Sequence, residues 1–453
     1  MTIKGIISQK RIEKVREKAQ RQEGVSAPSA MPAALGSLPV FAGMSLLAAA
    51  LGGIEFILYR IFVPGLLPNA GATFNLFPFV IVPLLLGMLY GPVATVATGL
   101  FTTLFLWFVS GLDPCTLAVA ATSTVVSALY APHIKSFRNF WKLLSHQLLG
   151  QALVGVVVMC VQRCFLSAGH VTPQYVIAQL VFLAALSLLA GPLALYVFLP
   201  AAEKITGRIS DFSMMPFANV GGSLLQRLSR EAPGTYHHSL MVADLSQAAA
   251  DAIGANGLLA RIGGYYHDIG KLSKPEYFME NQTALGNPHD ALPPSVSRMV
   301  IAAHVKEGAI LARDAKLPAP VVRIIESHHG TTNMQWFKLK AEKNLPENAG
   351  RHGAESLSEF FRYPGPLPQT REETVVSIAD SVEAASRSLK SPDGNAIASL
   401  VNGIVAAKYA DGQFARSVLS LAELQEVSNS LITTLSHGRH VRKAYPPKKD
   451  ALA

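Results

Sequence analysis

Six apolar runs, uncharged except for Glu55, crowd this chain before Pro200, and no single aqueous core could bury them all. They are read at Leu38–Tyr59, Phe74–Tyr90, Val93–Ser110, Thr116–Tyr130, Leu143–Val161 and Val176–Leu199. Crossing a bilayer takes about 20 predominantly apolar residues, with a range of roughly 17–25, so only the fourth run is short. Half of the 453 residues are hydrophobic, more than an ordinary soluble chain needs. Of the 13 histidines, all but three follow Pro200. Two modules are therefore expected: a polytopic transmembrane helix bundle over residues 38–200, and a polar domain after it.

Positive charge orients the bundle. The first 23 residues carry Lys4, Lys10, Arg11, Lys14, Arg16, Lys18 and Arg21, much of the net charge of +9. Such a run beside an apolar segment reads as a cytoplasmic flank held by anionic lipid rather than as a nucleic-acid arm. No DNA or RNA partner is expected. With residues 1–37 inside as a retained tail and linker, six spans also place HIKSFRNFWK (Lys135, Arg138, Lys142) inside and the Lys- and Arg-free FLSAGHVTPQ outside. Arg163 is the one discordant charge. Everything from Ala201 on is then cytosolic.

Within the runs, Glu55 and Arg60 suit an interfacial ion pair, and Gln147 and Gln151 fall on one helix face as interhelical hydrogen-bonding groups. Nothing resembles the broken helix pairs of transporters. The three cysteines, Cys115, Cys160 and Cys164, form neither a zinc motif nor a disulfide framework.

After residue 223 the apolar residues recur at helical spacing in SLLQRLSREAPG, YHHSLMVADLSQAAADAIG, LLARIGGYYHDIGKL, SRMVIAAHVKEGAILARDA, APVVRIIESHH, TREETVVSIADSVEAASRSL and LAELQEVSNSLITTL. Strand signals are nearly absent, so this half is expected to be all-helical: a connector over 201–235, a domain over 236–446 and a tail over 447–453. Metal-capable residues recur along it: His238, His267, Asp268, His304, His328, His329 and Asp380. Carboxylate and imidazole without thiolate suit Mn, Fe or Zn rather than a structural zinc knot. A buried carboxylate can bridge two cations while imidazoles complete each shell, an arrangement that clamps the attacking and leaving oxygens of a phosphoryl displacement. Singly, each residue has an ordinary reading: a capped His-Asp pair, a core histidine at His304, a helix C-terminus at His328-His329. Seven in one domain favour the metal reading. The remaining eight histidines are taken as structural.

Several of these stretches carry a family resemblance. EAPGTYHHSLMVADL, YYHDIGKLSKPEYFMENQ, the histidine of IAAHVKEG, IIESHHGTT, FRYPGPLPQTREE, ADSVEAASRSL, DGQF and HVRKAYP together resemble the HD-domain phosphohydrolases. Among those, the chain is similar to the membrane-anchored cyclic di-AMP phosphodiesterases of the PgpH type. The resemblance implies two divalent metals, Mn or Fe, with His238, His267 and Asp380 on the first, Asp268 bridging, and His304, His328 and His329 on the second. It also implies His267 and Asp268 as the catalytic core. Lys271, three residues on and on the same helix face, is the candidate catalytic residue for holding a substrate phosphate, against the ordinary reading of a surface lysine snorkelling from a helix. The family's extra transmembrane helix and large extracellular region are not expected here.

The implied function is hydrolysis of cyclic di-AMP to pApA at the cytoplasmic face of a bacterial inner membrane, with a cyclic dinucleotide and the bilayer as partners. Analogy with membrane signalling proteins allows a homodimer. Cyclic di-GMP hydrolysis ranks low, because the HD-GYP group has a glutamate after the paired histidines where this chain has Gly330. The alternatives are hydrolysis of (p)ppGpp or another nucleotide, and a membrane receptor that binds nucleotide without turnover.

Overall fold

The structure, a computed structural model, describes residues 81–109, 114–165, 192, 194–206, 208–282, 286–343, 356–389 and 393–440. The basic tail, the first apolar run with Glu55 and Arg60, and most of the sixth lie outside the described residues. The chain divides into two compact units, with the boundary between Met215 and Pro216.

The first unit is helical. Helices α1 (Ile81–Tyr90), α2 (Pro92–Val109), α3 (Pro114–Tyr130) and α4 (Phe137–Phe165) follow the second to fifth runs, and α5 (Leu199–Thr206) and a short helical turn at Asp211–Met214 complete the unit's described residues. Much of HIKSFRNFWK, read as a loop, belongs to α4: the Ser136 hydroxyl accepts from the backbone N of Asn139 and starts the helix early. Leu84, Leu86, Ile134, Phe140, Leu143 and Leu199 form one apolar cluster. Elsewhere the usual pattern is inverted. Thr95, Thr98, Thr103, Ser123, Thr124, Ser127, Gln147 and Gln151 are buried, while Val93, Leu100, Phe101, Leu104 and Phe108 of α2 and Leu149 and Leu153 of α4 face outward. Gln147 and Gln151 both donate to the Ser123 hydroxyl, so the interhelical reading of that pair holds. Among the described residues, no helix is long and apolar enough to cross a membrane.

The second unit is also helical, with no strand among its described residues and one isolated bridge, Asn333 to Arg362. Its helices are α6 (Ser223–Glu231), α7 (Pro233–Ala252), α8 (Gly257–Tyr266), α9 (Pro294–Asp314), α10 (Ala319–Ser327), α11 (Gln335–Glu342), α12 (Arg371–Ser386), α13 (Gly394–Ala410) and α14 (Leu421–His440). Local chemistry sets their ends. Gly254, at φ +63°, follows the end of α7; the side chains of Asn256, Thr370 and Asp393 cap α8, α12 and α13. Val242, Leu245, Ile324, Val375, Val376, Ile378, Val382, Val401, Val405 and Leu431 form the core, with α12 running through it. Helices α11 and α13 were not singled out from sequence, although α13 places Val401 and Val405 in that core.

One reading is corrected. LLARIGGYYHDIGKL is not a continuous helix: α8 stops at Tyr266, His267 caps it, and Ile269–Ser273 forms a 3-10 turn. The reason is packing. Gly270 lies so close to α9 that a Cβ there would sit 1.9 Å from the carbonyl oxygen of His304. Lys271 is therefore carried by the turn and not by a face of α8.

Candidate metal centre

Asp268 occupies the middle of the second unit, almost wholly buried, and the expected residues converge on it from five segments. Its Oδ2 faces His238 Nε2 of α7 at 3.6 Å and His267 Nε2 at the end of α8 at 3.2 Å. Its Oδ1 faces His304 Nε2 of α9 at 3.4 Å and His328 Nε2 at the end of α10 at 3.7 Å. The donor atoms of Asp268, His304, His328 and His329 lie within 4.8 Å of one another, as do those of His238, His267 and Asp268. Asp380 of α12 spans both groups: Oδ1 is 3.1 Å from His238 Nε2 and 3.7 Å from His267 Nε2, and Oδ2 is 3.6 Å from His329 Nδ1. All seven sequence-predicted ligands are thus brought together, and Asp268 presents one oxygen to each group.

The hydrogen bonds fix how the imidazoles point. His267 Nδ1 lies 2.8 Å from the carbonyl of Gly264, His304 Nδ1 2.5 Å from that of Ile301, and His328 Nδ1 2.7 Å from that of Ile325. A carbonyl can only accept, so each Nδ1 carries the proton and, in a neutral ring, each Nε2 turns a lone pair inward. Lone pairs aimed at a carboxylate repel unless a proton or a cation lies between. His267 Nε2 and Asp268 Oδ1, both buried, have no hydrogen-bond partner among the described residues. Buried donors of this kind, with their outer nitrogens tied down, suit divalent cations.

Without a cation, protons take part of that role. Burial disfavours charge on His267, yet Asp268 and Asp380 outweigh it and raise its pKa to about 10. Burial also opposes charge on His238, but Asp380 and Glu383 raise its pKa. Burial and the neighbouring imidazoles of His267 and His304 push His328 down to about 3, while burial and His328 hold His329 well below its usual range. Asp268 and Asp380 stay ionised: burial opposes this, and His267 and Lys271 overcome it for Asp268, as His238 and His267 do for Asp380.

Lys271 lies at the site in a different setting from the one expected. Its Nζ is 2.7 Å from Asp268 Oδ2 and 2.6 Å from Glu280 Oε1, and it sits over the Phe278 ring. As placed, it holds Asp268 in position.

Sequence reading missed three residues around the centre. Glu383 Oε2 is hydrogen-bonded to His238 Nδ1, and Arg387 Nε donates to Glu383 Oε1 at 2.9 Å. One turn after Asp380 in ADSVEAA, Glu383 could have been found from its i,i+3 spacing. Glu280, inside the quoted YYHDIGKLSKPEYFMENQ, also accepts from Thr235 Oγ1 at 3.0 Å. Tyr363 stacks on His329 at 4.2 Å between ring centroids, and no local pattern announced that.

Comparison with known proteins agrees with this geometry. Residues 235–385 match the HD domain family. The chain is 42% identical over 270 residues to the cyclic-di-AMP phosphodiesterase PgpH of Bacillus subtilis, covering 60% of this chain and 37% of that protein. It is 41% identical over 252 residues to PgpH of Listeria monocytogenes, covering 56% of this chain and 34% of that one. A crystal structure of the L. monocytogenes PgpH HD domain in complex with cyclic-di-AMP is 42% identical, covering 48% of this chain and 99% of that chain with a TM-score of 0.45. The chain thus spans about a third of the length of the curated relatives. With the matched residues holding Asp268 and its imidazoles, residues 235–385 form an HD domain, and the region around it is similar to the PgpH phosphodiesterases.

Proposed function

We propose that the chain is a metal-dependent phosphodiesterase that hydrolyses cyclic di-AMP to pApA. The observation that carries this reading is the double face of Asp268, with two imidazole nitrogens toward each carboxylate oxygen, the donor arrangement for a pair of divalent cations. Bound there, the two cations, Mn or Fe as the family resemblance implies, would activate water and neutralise charge on the phosphodiester. The first would be held by His238, His267 and Asp380, the second by His304, His328 and His329, with Asp268 between. The chain's own side chains supply the rest: Lys271 orients Asp268, and Glu383 orients His238. Water adds to one phosphorus, its P–O3′ bond breaks, the leaving ribose oxygen takes up a proton, and the second diester stays intact. The adenine specificity rests on the names of the PgpH relatives.

The test uses the full chain, solubilised in detergent and titrated with Mn, Fe, Zn and Mg, against cyclic di-AMP, cyclic di-GMP and (p)ppGpp. Metal-dependent pApA production, abolished in His267→Ala and Asp268→Ala, is expected. A metal-loaded protein that binds cyclic di-AMP without turnover would make it a receptor.

We further propose that the first unit lies in a bacterial inner membrane with the HD region on the cytoplasmic side. The support is the inverted pattern, polar groups inside and apolar side chains outside, with Val93 82% and Phe108 76% exposed. Release of the chain from membranes by an alkaline carbonate wash would overturn this.

A further inference from the structure

Two of the quoted stretches, FRYPGPLPQTREE and DGQF, are left without a role by the metal centre, and they meet beside it. Arg362 donates through Nη1 to Asp411 Oδ2 at 3.0 Å and through Nη2 to Asp411 Oδ1 at 2.7 Å. The same guanidinium donates to the carbonyl of Thr331 at 2.7 Å. Gln413 Nε2 donates to Asp411 Oδ2 at 2.7 Å and to Thr331 Oγ1 at 3.1 Å, and its Oε1 accepts from the backbone N of Thr331 at 2.9 Å. This clasp ties the 361–363 segment to the loop that follows His328 and His329. Backbone bonds complete it: Tyr363 N to Thr332 O at 3.0 Å, and Met334 N to Phe361 O at 3.0 Å.

The residue held by the clasp is Tyr363. Its ring stacks on His329, with a 4.2 Å centroid distance, and meets His304 edge-on at 6.2 Å. Its hydroxyl makes no hydrogen bond among the described residues. An aromatic needed only to pack here could be phenylalanine, whereas a phenol stacked on His329 and edge-on to His304 brings a hydrogen-bond donor to the second group of ligands.

We propose that Tyr363 is a catalytic residue: fixed against His329 by the Arg362–Asp411–Gln413 clasp, it donates its O–H to a non-bridging phosphoryl oxygen of the bound diester. This rests on the phosphodiesterase reading. The experiment compares the full-length wild type with Tyr363→Phe and Tyr363→Ala, with metal content measured on each. Substrates are cyclic di-AMP and bis(p-nitrophenyl) phosphate, a diester without bases.

Tyr363→Phe is expected to keep wild-type metal content and to lower kcat on both substrates by about 10- to 100-fold, the loss of one hydrogen bond to a charged oxygen. Wild-type kcat in Tyr363→Phe on both substrates, with Tyr363→Ala alone impaired and depleted of metal, would overturn the proposal and leave the ring as packing for His329. A wild type that cleaves only the simple diester would remove the cyclic di-AMP reading, and the Phe-to-Tyr ratio on that diester would still decide Tyr363. A metal-loaded wild type inert toward both overturns the two together.

Discussion

Single residues at this centre act through their partners. Glu383 touches no metal-facing nitrogen, yet it fixes His238 through Nδ1 and is itself held by Arg387. Outer partners of this kind are worth about 10- to 100-fold in metal affinity, so Glu383→Gln is expected to weaken Mn binding by that factor in a calorimetric titration with the fold unchanged. Lys408 is a different case. Buried in α13, it donates to Ser377 Oγ at 3.0 Å; burial lowers its pKa to about 8, with Asp380 and Asp411 opposing. Its folded pKa lies below the unfolded one, so the unfolded chain binds more protons between about pH 8 and 10.5, and stability contributed by this group rises with pH across that window. Lys408→Met is expected to stabilise the metal-free protein by on the order of 3 kcal/mol at pH 7, with the gain gone by about pH 10.5, as denaturant titrations at both pH values would read.

At the level of elements, the site depends on close approaches that only glycine allows. The 3-10 turn at Ile269–Ser273 is pressed against α9 because Gly270 has no side chain; that contact sets the Asp268–His304 distance. Gly270→Ala is expected to cost about 3 kcal/mol, and to leave less metal per chain after gel filtration, because the clash is with backbone and cannot be relieved by rotating a side chain. Gly330 ends the His328-His329 segment at φ +53°, and a Cβ there would lie 2.5 Å from Gln413 Oε1. Gly330→Ala should therefore cost at least about 1–2 kcal/mol of backbone strain and loosen the clasp on Tyr363, seen as a lower kcat at unchanged metal content.

For the whole molecule, the candidate ligands come from helices far apart in sequence, so a pair of cations shared by Asp268 would tie α7, α8, α9, α10 and α12 together. Mn at about 100 times its Kd is expected to stabilise the HD region by about 2.7 kcal/mol. For a domain of this size that raises its Tm by about 5–10 °C, reversed by EDTA and absent in Asp268→Ala. A melting curve indifferent to Mn would remove the metal reading at its root.

The candidate ligand set could be named from the sequence because metal-capable residues recur in recognisable stretches: His-Asp in YYHDIGKL, paired histidines before Gly330, an aspartate inside the helical run of ADSVEAA. Those residues keep their chemistry wherever the chain takes them, and seven of them in one domain leave few alternatives to metal binding. The helical class was legible too, since the apolar period belongs to each segment alone. What the sequence could not carry is distance between segments. That Lys271 pairs with Glu280, that Tyr363 covers His329, and that Arg362 meets Asp411 all follow from packing between stretches separated by loops. No local propensity encodes such a meeting, so these roles were decided only when the helices closed around Asp268.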